Sequence, residues 1–246
     1  MSLPEVVSRD EWLAARTELL AKEKAHTRER DALNADRRRL PMVRVEKEYI
    51  FEGPDGKVTL ADLFDGSGQL IVQHLMFDPE WENPCPGCTA FLDEMAPALL
   101  THLRSRDTTF VGVSRAPLAK LTETAERKGW FLPWYSSFGS DFNYDFGVSL
   151  DPAVTPVVYN YRDLPELIAI DPAWAEDNTG EIGAFSAFLR SRDTVFHTYS
   201  TYGRGGEHVD LGPYAYLDIT ALGRQENWEE PKGRVAEPRS AGPIFT

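Results

Sequence analysis

Residues 69–77 read QLIVQHLMF, a mostly apolar run of the kind that fills a buried strand. A loop carrying Trp81 then leads to Cys85-Pro86-Gly87-Cys88, and helical spacing follows at once in Phe91, Leu92, Met95, Leu99 and Leu103. Pro97 is expected to bend that helix. TTFVGVS at 108–114 supplies another buried strand. Pro117 at a helix start, Leu118, Leu121 and Ala125 on one face and Gly129 at the stop then give a second helix. The order is strand, Cys-x-x-Cys helix, strand, helix. Crossovers of that kind build a parallel sheet with helices on its faces, so the fold class is α/β.

Working outward, Tyr49 to Leu60 places two β-rich runs around Gly53-Pro54-Asp55-Gly56, a hairpin signal. Upstream, the first forty residues predict one long helix. Ser8-x-x-Glu11 fits a capping box, Trp12, Leu13, Leu19 and Leu20 form an apolar stripe, and Pro41 stops it. Two readings stand for it: a solvated helix docked by its first turns, or an arm packed on a second subunit, making a homodimer. Downstream, 186–189 and 195–199 flank Arg190-Ser191-Arg192-Asp193 as a second hairpin, and 214–219 could add a further strand or a closing segment. The stretch 141–181 carries nine acidic residues against the single base Arg162, with Pro152, Pro156, Pro165 and Pro172. It is a poor helix candidate and reads as an insertion decorating the fold, over about 141–182. From Gln225 onward proline, glycine and charge predict a tail.

The chain has 246 residues, 42% hydrophobic, enough to bury a core without covalent staples. Net charge is −13, which argues against nucleic-acid binding, because phosphate contacts need a basic face. No apolar run approaches the roughly 18 residues of a membrane span, and MSLPEVVSRDEW does not read as a secretory signal. The expectation is a cytoplasmic protein with no membrane partner. Only two cysteines occur, both in one Cys-x-x-Cys, so neither a disulfide scaffold nor a four-ligand structural zinc site fits.

A dithiol between a strand and a helix has a specific use. Unpaired amides and the positive dipole end of the helix stabilise a thiolate, lowering a cysteine pKa from about 8.5 into roughly 3.5–7.5. Cys85 is the expected nucleophile on a disulfide, and Cys88, on the same side of the first turn, the resolving thiol. Pro86 suits a first turn, where it forfeits no hydrogen bond. No metal or organic cofactor is required.

The strand–CxxC–helix–strand–helix order resembles the thioredoxin superfamily. More closely, MFDPEWENPCPGCTAF, GWFLPWYSSFGSDFNYDF and VFHTYSTYGRG resemble a group of bacterial thioredoxin-like proteins long catalogued as a domain of unknown function, and the likeness runs from the N-terminal helix to about Leu222. It implies a thioredoxin-like fold, a central mixed sheet flanked by helices, occupying 41–224 between the arm (1–40) and the tail (225–246). It also implies disulfide oxidoreductase activity but supplies no substrate; the dithiol itself leads to the expectation of a protein or small-molecule disulfide or thiol. By the same resemblance Cys85 matches the attacking and Cys88 the resolving cysteine, and Trp81 stands where an active-site tryptophan is often found. Thioredoxins carry a cis-proline facing the dithiol; Pro156 is one candidate, although the strand suited to that edge begins near Gly183, where no proline occurs. The buried acid of thioredoxins has no clear match, Asp78 and His74 being the nearest groups. The peroxiredoxin pattern Pro-x-x-x-Thr/Ser-x-x-Cys, counted from Pro79, meets Asn83 and Pro86 and fails, leaving thiol peroxidase a minor alternative.

Other residues admit two readings each. His74 is a base for the dithiol or a metal ligand, or a hydrogen-bonded core histidine. His197, alternating in a strand, lines the active site or does not; a Cys85–His–acid hydrolase would leave the second cysteine unexplained. Eight aromatics between Gly129 and Phe146, Trp134 among them, form a core plug or the wall of a groove beside the dithiol. Gly203-Arg204-Gly205-Gly206 precedes no convincing helix and is not read as a phosphate loop. The competing class is a non-catalytic binding module with a vestigial dithiol.

Overall fold

The computed structural model describes residues 4–203 and the pieces 226–228, 232–233 and 236–238. The chain divides into two compact units, Met1–Pro41 with Pro213–Ala241, and Met42–Gly212 with Gly242–Thr246. The first contains α1 (Arg9–Arg39), which opens on the expected capping box: Ser8 accepts from the Glu11 amide while Glu11 reaches back to Ser8. The helix buries none of its residues, and Trp12, Leu13, Leu19 and Leu20 are all exposed.

In the second unit the elements run β1 (Val43–Arg44), β2 (Ile50–Gly53), β3 (Gly56–Thr59), β4 (Gln69–His74), α2 (Pro86–Asp93), α3 (Ala98–Arg104), β5 (Thr108–Ser114), α4 (Leu118–Lys128) and β6 (Trp134–Ser136). They continue with α5 (Phe142–Asp145), β7 (Ser149–Leu150), β8 (Val158–Tyr159), β9 (Arg162–Asp163), α6 (Leu164–Ile170), β10 (Gly180–Glu181), β11 (Ala184–Ser191) and β12 (Thr194–Tyr202). The main sheet has the order β1-β12-β11-β4-β5-β6-β2-β3. Strands β4, β5 and β6 are parallel, as the crossovers require. Strand β11 runs antiparallel to β4 on its other side and turns into β12. A strand feeding a dithiol helix, a parallel neighbour and an antiparallel hairpin on the opposite flank make this a thioredoxin-like mixed sheet.

The pleat sorts the core into two layers. Leu70 and Val72 face Phe51, Phe64, Phe142 and Phe188 on one side. Ile71 and Leu75 face Leu92, Leu121, Trp130 and Trp134 on the other. Gly112 on β5 is obligatory here, since a Cβ would lie 2.3 Å from the Trp134 ring.

Two expectations need correction. Pro97 does not bend one helix but separates two: α2 ends at Asp93, and Pro97 caps α3. A proline has no amide to donate and crowds the preceding turn, so the chain restarts instead. The acidic stretch does hold a helix. Asp163 and Glu166 form a capping box for α6, and Pro165 falls in its first turn, where proline is tolerated. The same stretch also reaches the interior, through the wholly buried Phe142 and Val148. The strand or closing segment read at 214–219, residues 204–206 of the glycine-rich run and most of the predicted tail lie outside the described residues.

Candidate active site: a dithiol at a helix N-terminus

Cys85 is the N-cap of α2 and Pro86 its first helical residue. The Cys85 amide donates to the Met76 carbonyl at 2.9 Å, which folds the loop back on the strand end. Three further hydrogen bonds set that loop. The Glu80 amide donates to Asp78 Oδ1 at 2.8 Å. Lys120 Nζ of α4 donates to the carbonyls of Pro79, at 2.9 Å, and Trp81.

The two thiols are driven apart in acidity. The Cys88 thiol donates to Cys85 and brings its pKa down to about 6, against the opposing effect of burial; the Cys88 and Gly87 amides add to the lowering. Cys88 is pushed well up by the same hydrogen bond, by burial and by the Cys85 charge. The direction of the two shifts makes Cys85 the more acidic thiol of the pair.

Opposite the dithiol passes the backbone that enters β11. A Cβ at Gly183 would sit 3.3 Å from Cys88 Sγ and 3.4 Å from Met76 Sδ. Gly183 thus occupies the facing position, while Pro156 lines a different cavity. Beside the thiols lies a mostly apolar cavity of about 300 Å³, walled by Met76, Phe91, Phe185 and Tyr202 together with Gln73 and His74. Gln73 is 3% exposed, and its Oε1 has no partner among the described residues. A buried carboxamide oxygen without a donor is costly, so it marks a point where a ligand or water donor would be welcomed.

An ion cluster holds the two approaches together. Arg115 pairs with Glu181 at 2.8 Å and Asp78 at 3.2 Å, and donates to the Tyr144 hydroxyl. Glu181 also accepts from Ser149 Oγ at 2.7 Å, and its pKa is raised, chiefly by burial. Asp78 belongs to the loop before Cys85 and Glu181 to the segment before Gly183, so one guanidinium ties both sides of the site.

Of the residues singled out from sequence, Cys85, Cys88 and His74 share the cavity, with Pro86 between the thiols at the exposed helix start. His74 is buried, its Nε2 is 2.8 Å from Ser186 Oγ, and its ring stacks on Phe142 at 5.6 Å. Its pKa is lowered to about 3 by burial, with a smaller contribution from His197. Trp81 is 37% exposed on the preceding loop. His197 lies elsewhere, on a second cavity of about 610 Å³ with Tyr49 and Phe146. Trp134 is buried against Trp130, at 5.7 Å between rings, in the core rather than on the dithiol cavity. Gln73 and Arg115 escaped the sequence reading, whereas Gly183 was already placed there as the start of the strand suited to the facing edge. Gln73 left a trace only as an amide inside a mostly apolar run. Among the described residues no group of three or more His, Cys, Asp or Glu could hold a metal ion. No described helix is long and apolar enough to cross a membrane.

Residues 1–239 match the model of a family described as "Bacterial protein of unknown function (DUF899)", and the chain belongs to that family. No curated protein sequence matches it. Among solved structures, Xanthomonas campestris peroxiredoxin Q is 14% identical over 65% of this chain and 84% of its own, with a TM-score of 0.43. The peroxidoxin BcpB of Mycobacterium tuberculosis is 15% identical over 65% and 86%, with a TM-score of 0.42. The hypothetical protein SMc02350 of Sinorhizobium meliloti 1021 is 14% identical over 73% and 82%, with a TM-score of 0.36.

Proposed function

We propose that this protein is a thiol–disulfide oxidoreductase. The Cys85 thiolate attacks a disulfide of a protein or small molecule, one sulfur leaves as a thiol, and Cys88 then attacks Cys85 to release the other. Two electrons pass from the dithiol to the substrate, or back when the direction reverses. The observation that carries this reading is the placement of both thiols at the start of α2, with Cys85 as its N-cap and Cys88 in its first turn against the Gly183 backbone; the lowering of Cys85 and the raising of Cys88 agree with it. The proposed setting is the cytoplasm, where thiols are kept reduced and the dithiol would be the resting form.

A pattern of cysteine plus threonine or serine, as in a thiol peroxidase, fits less well. Counted back from Cys88 it places Cys85 at the Thr/Ser position and Trp81 at the Pro position. The cysteine so assigned is the one whose pKa is raised. The reading is tested with Cys88→Ser, which should accumulate mixed disulfides through Cys85 with added disulfides or lysate proteins. A variant that traps nothing, while the parent protein also leaves disulfides unreduced, would return the protein to the binding-module class.

A further inference from the structure

The second cavity, at about 610 Å³, falls within the size range of small-molecule sites. Its wall is rich in rings: Tyr49, Tyr144, Phe146, Tyr161, Tyr202 and the imidazole of His197. His197 packs on Phe188 and Phe146, at 5.4 and 5.2 Å between rings, on the sheet face away from α2. The sheet is irregular where this requires it. On a regular strand, residues three apart point to opposite faces. The β11–β12 pairing passes from Ala187↔Tyr199 to Phe188↔His197 and so skips Thr198. That bulge turns His197 onto the face of Ser200, whose Oγ lies 2.7 Å from its Nε2; re-aiming a side chain is a common use of bulges.

One wall residue is held in a conformation that its side chain disfavours. Strands β8 and β9 pair Tyr159 with Arg162, leaving Asn160 and Tyr161 as a two-residue turn with φ of 51° and 66°. Two positive values mark the hairpin turn whose second position ordinarily takes glycine. A bulky residue there is an outlier, and strain of this kind collects at functional sites. The Tyr161 hydroxyl donates to the Ser200 carbonyl at 2.8 Å, and its ring meets Tyr202 edge-on at 5.4 Å, yet the residue stays 70% exposed. The turn thus places a large ring on the cavity wall, pinned at its tip and open to solvent.

The protein's own groups balance the charges along this wall. Lys47 lies 5.6 Å from the Tyr49 ring centre and is held by Asp141 and Asp145, each at 2.7 Å. Arg115 lies 5.2 Å from the Tyr144 ring centre and is paired with Glu181 and Asp78. The other charged residues among the described lining, Arg44 and Glu46, are opposite in sign and both exposed. Burial lowers the His197 pKa, which keeps its ring uncharged at neutral pH. An ionic ligand would enter without a counter-charge, whereas a neutral ring meets rings, which favour offset and edge contacts. We propose that the second cavity binds a small, uncharged aromatic molecule, with Tyr161 as its outer wall. The site is independent of the dithiol chemistry.

Equilibrium dialysis of the full-length protein against 2-naphthol, 2-naphthoate and 2-naphthylmethylammonium tests this with one ring system in three charge states. 2-Naphthol should saturate a single site with a dissociation constant of roughly 0.1–1 mM, the range expected for so few atoms. Each ion should bind at least ~10-fold more weakly, because its charge has no partner in the cavity. Tyr161→Gly should weaken 2-naphthol binding at least ~5-fold and leave the urea midpoint close to the parent's, since glycine relieves the turn strain that offsets the lost contacts. Tyr161→Phe, which keeps the ring, should bind within about twofold of the parent. Alkylation of Cys85 with iodoacetamide should leave binding intact. The proposal is overturned by a parent protein that shows no saturable 2-naphthol binding, or by an ion that binds as tightly as the neutral probe. Unchanged binding in Tyr161→Gly overturns it too, as does binding lost on alkylation, which would put the ring in the dithiol cavity instead.

Discussion

Replacing Cys88 by alanine removes the group that contributes most to the acidity of Cys85. A hydrogen bond to a charged group contributes about 1.5–3 kcal/mol, and one pKa unit is about 1.4 kcal/mol, so its loss moves Cys85 up by roughly one to two units. Partial exposure of Cys85 favours the lower end of that range. The expected midpoint therefore rises from about 6 to roughly 7–8, because the Cys88 and Gly87 amides remain to hold it below the ordinary thiol value of 9.0. Cys88→Ser keeps an O–H donor in place and should stay near the parent midpoint. The assay is thiolate absorbance near the usual ultraviolet maximum as a function of pH, confirmed by the pH midpoint of alkylation. The alkylation rate at a single pH is a poor readout, since thiolate nucleophilicity rises with pKa and offsets the loss of ionised fraction. An alanine variant that still titrates at about 6 would refute the assignment of Cys88 as the stabilising donor.

Other consequences follow from the same geometry. Gly112→Ala drives a Cβ to 2.3 Å from the Trp134 ring and should cost about 1–3 kcal/mol in denaturant unfolding, as overpacked cores do. His74 has a folded pKa of about 3 against an ordinary 6.5, so the unfolded chain binds more protons between these values. Its stabilising contribution is complete above pH 6.5 and is lost as pH falls towards 3, at up to about 1.4 kcal/mol per pH unit. His74→Gln should flatten that part of the stability profile measured by urea unfolding. If α1 is the arm of a homodimer, the full chain should sediment as a dimer, and Leu13→Glu with Leu20→Glu should make it a monomer. Identical sedimentation of both proteins would remove the arm from the assembly.

The parallel half of the sheet was legible because its strands are short apolar runs between turn signals and its helices carry one-sided apolar spacing. The dithiol was legible for a different reason: both thiols are adjacent in the chain, so a single local turn builds the nucleophile. What was hidden depends on distant pairing. The start of the facing strand near Gly183 was legible, but its approach to Cys88 depends on β11 pairing with β4 in one register, with Ala184 opposite His74. The side on which His197 lies is set by the skipped residue Thr198, and simple alternation along β12 cannot reveal it. Trp134 looks from sequence like a groove wall or a core plug; Gly112 beside it leaves space for its indole in the core. The α6 capping box stands in the sequence at Asp163 and Glu166, but four prolines in 141–181 argue against a helix there, although Pro165 falls where a helix accepts one.

The central claim is that Cys85 and Cys88 are a working redox pair. Purified protein equilibrated against graded dithiothreitol or glutathione buffers, then alkylated and weighed intact, tests it directly. A working pair gives a reversible two-electron transition confined to these two residues, whose midpoint states whether the protein serves as reductant or oxidant. A pair that stays reduced across the whole range, or that is recovered with bound metal, would contradict it.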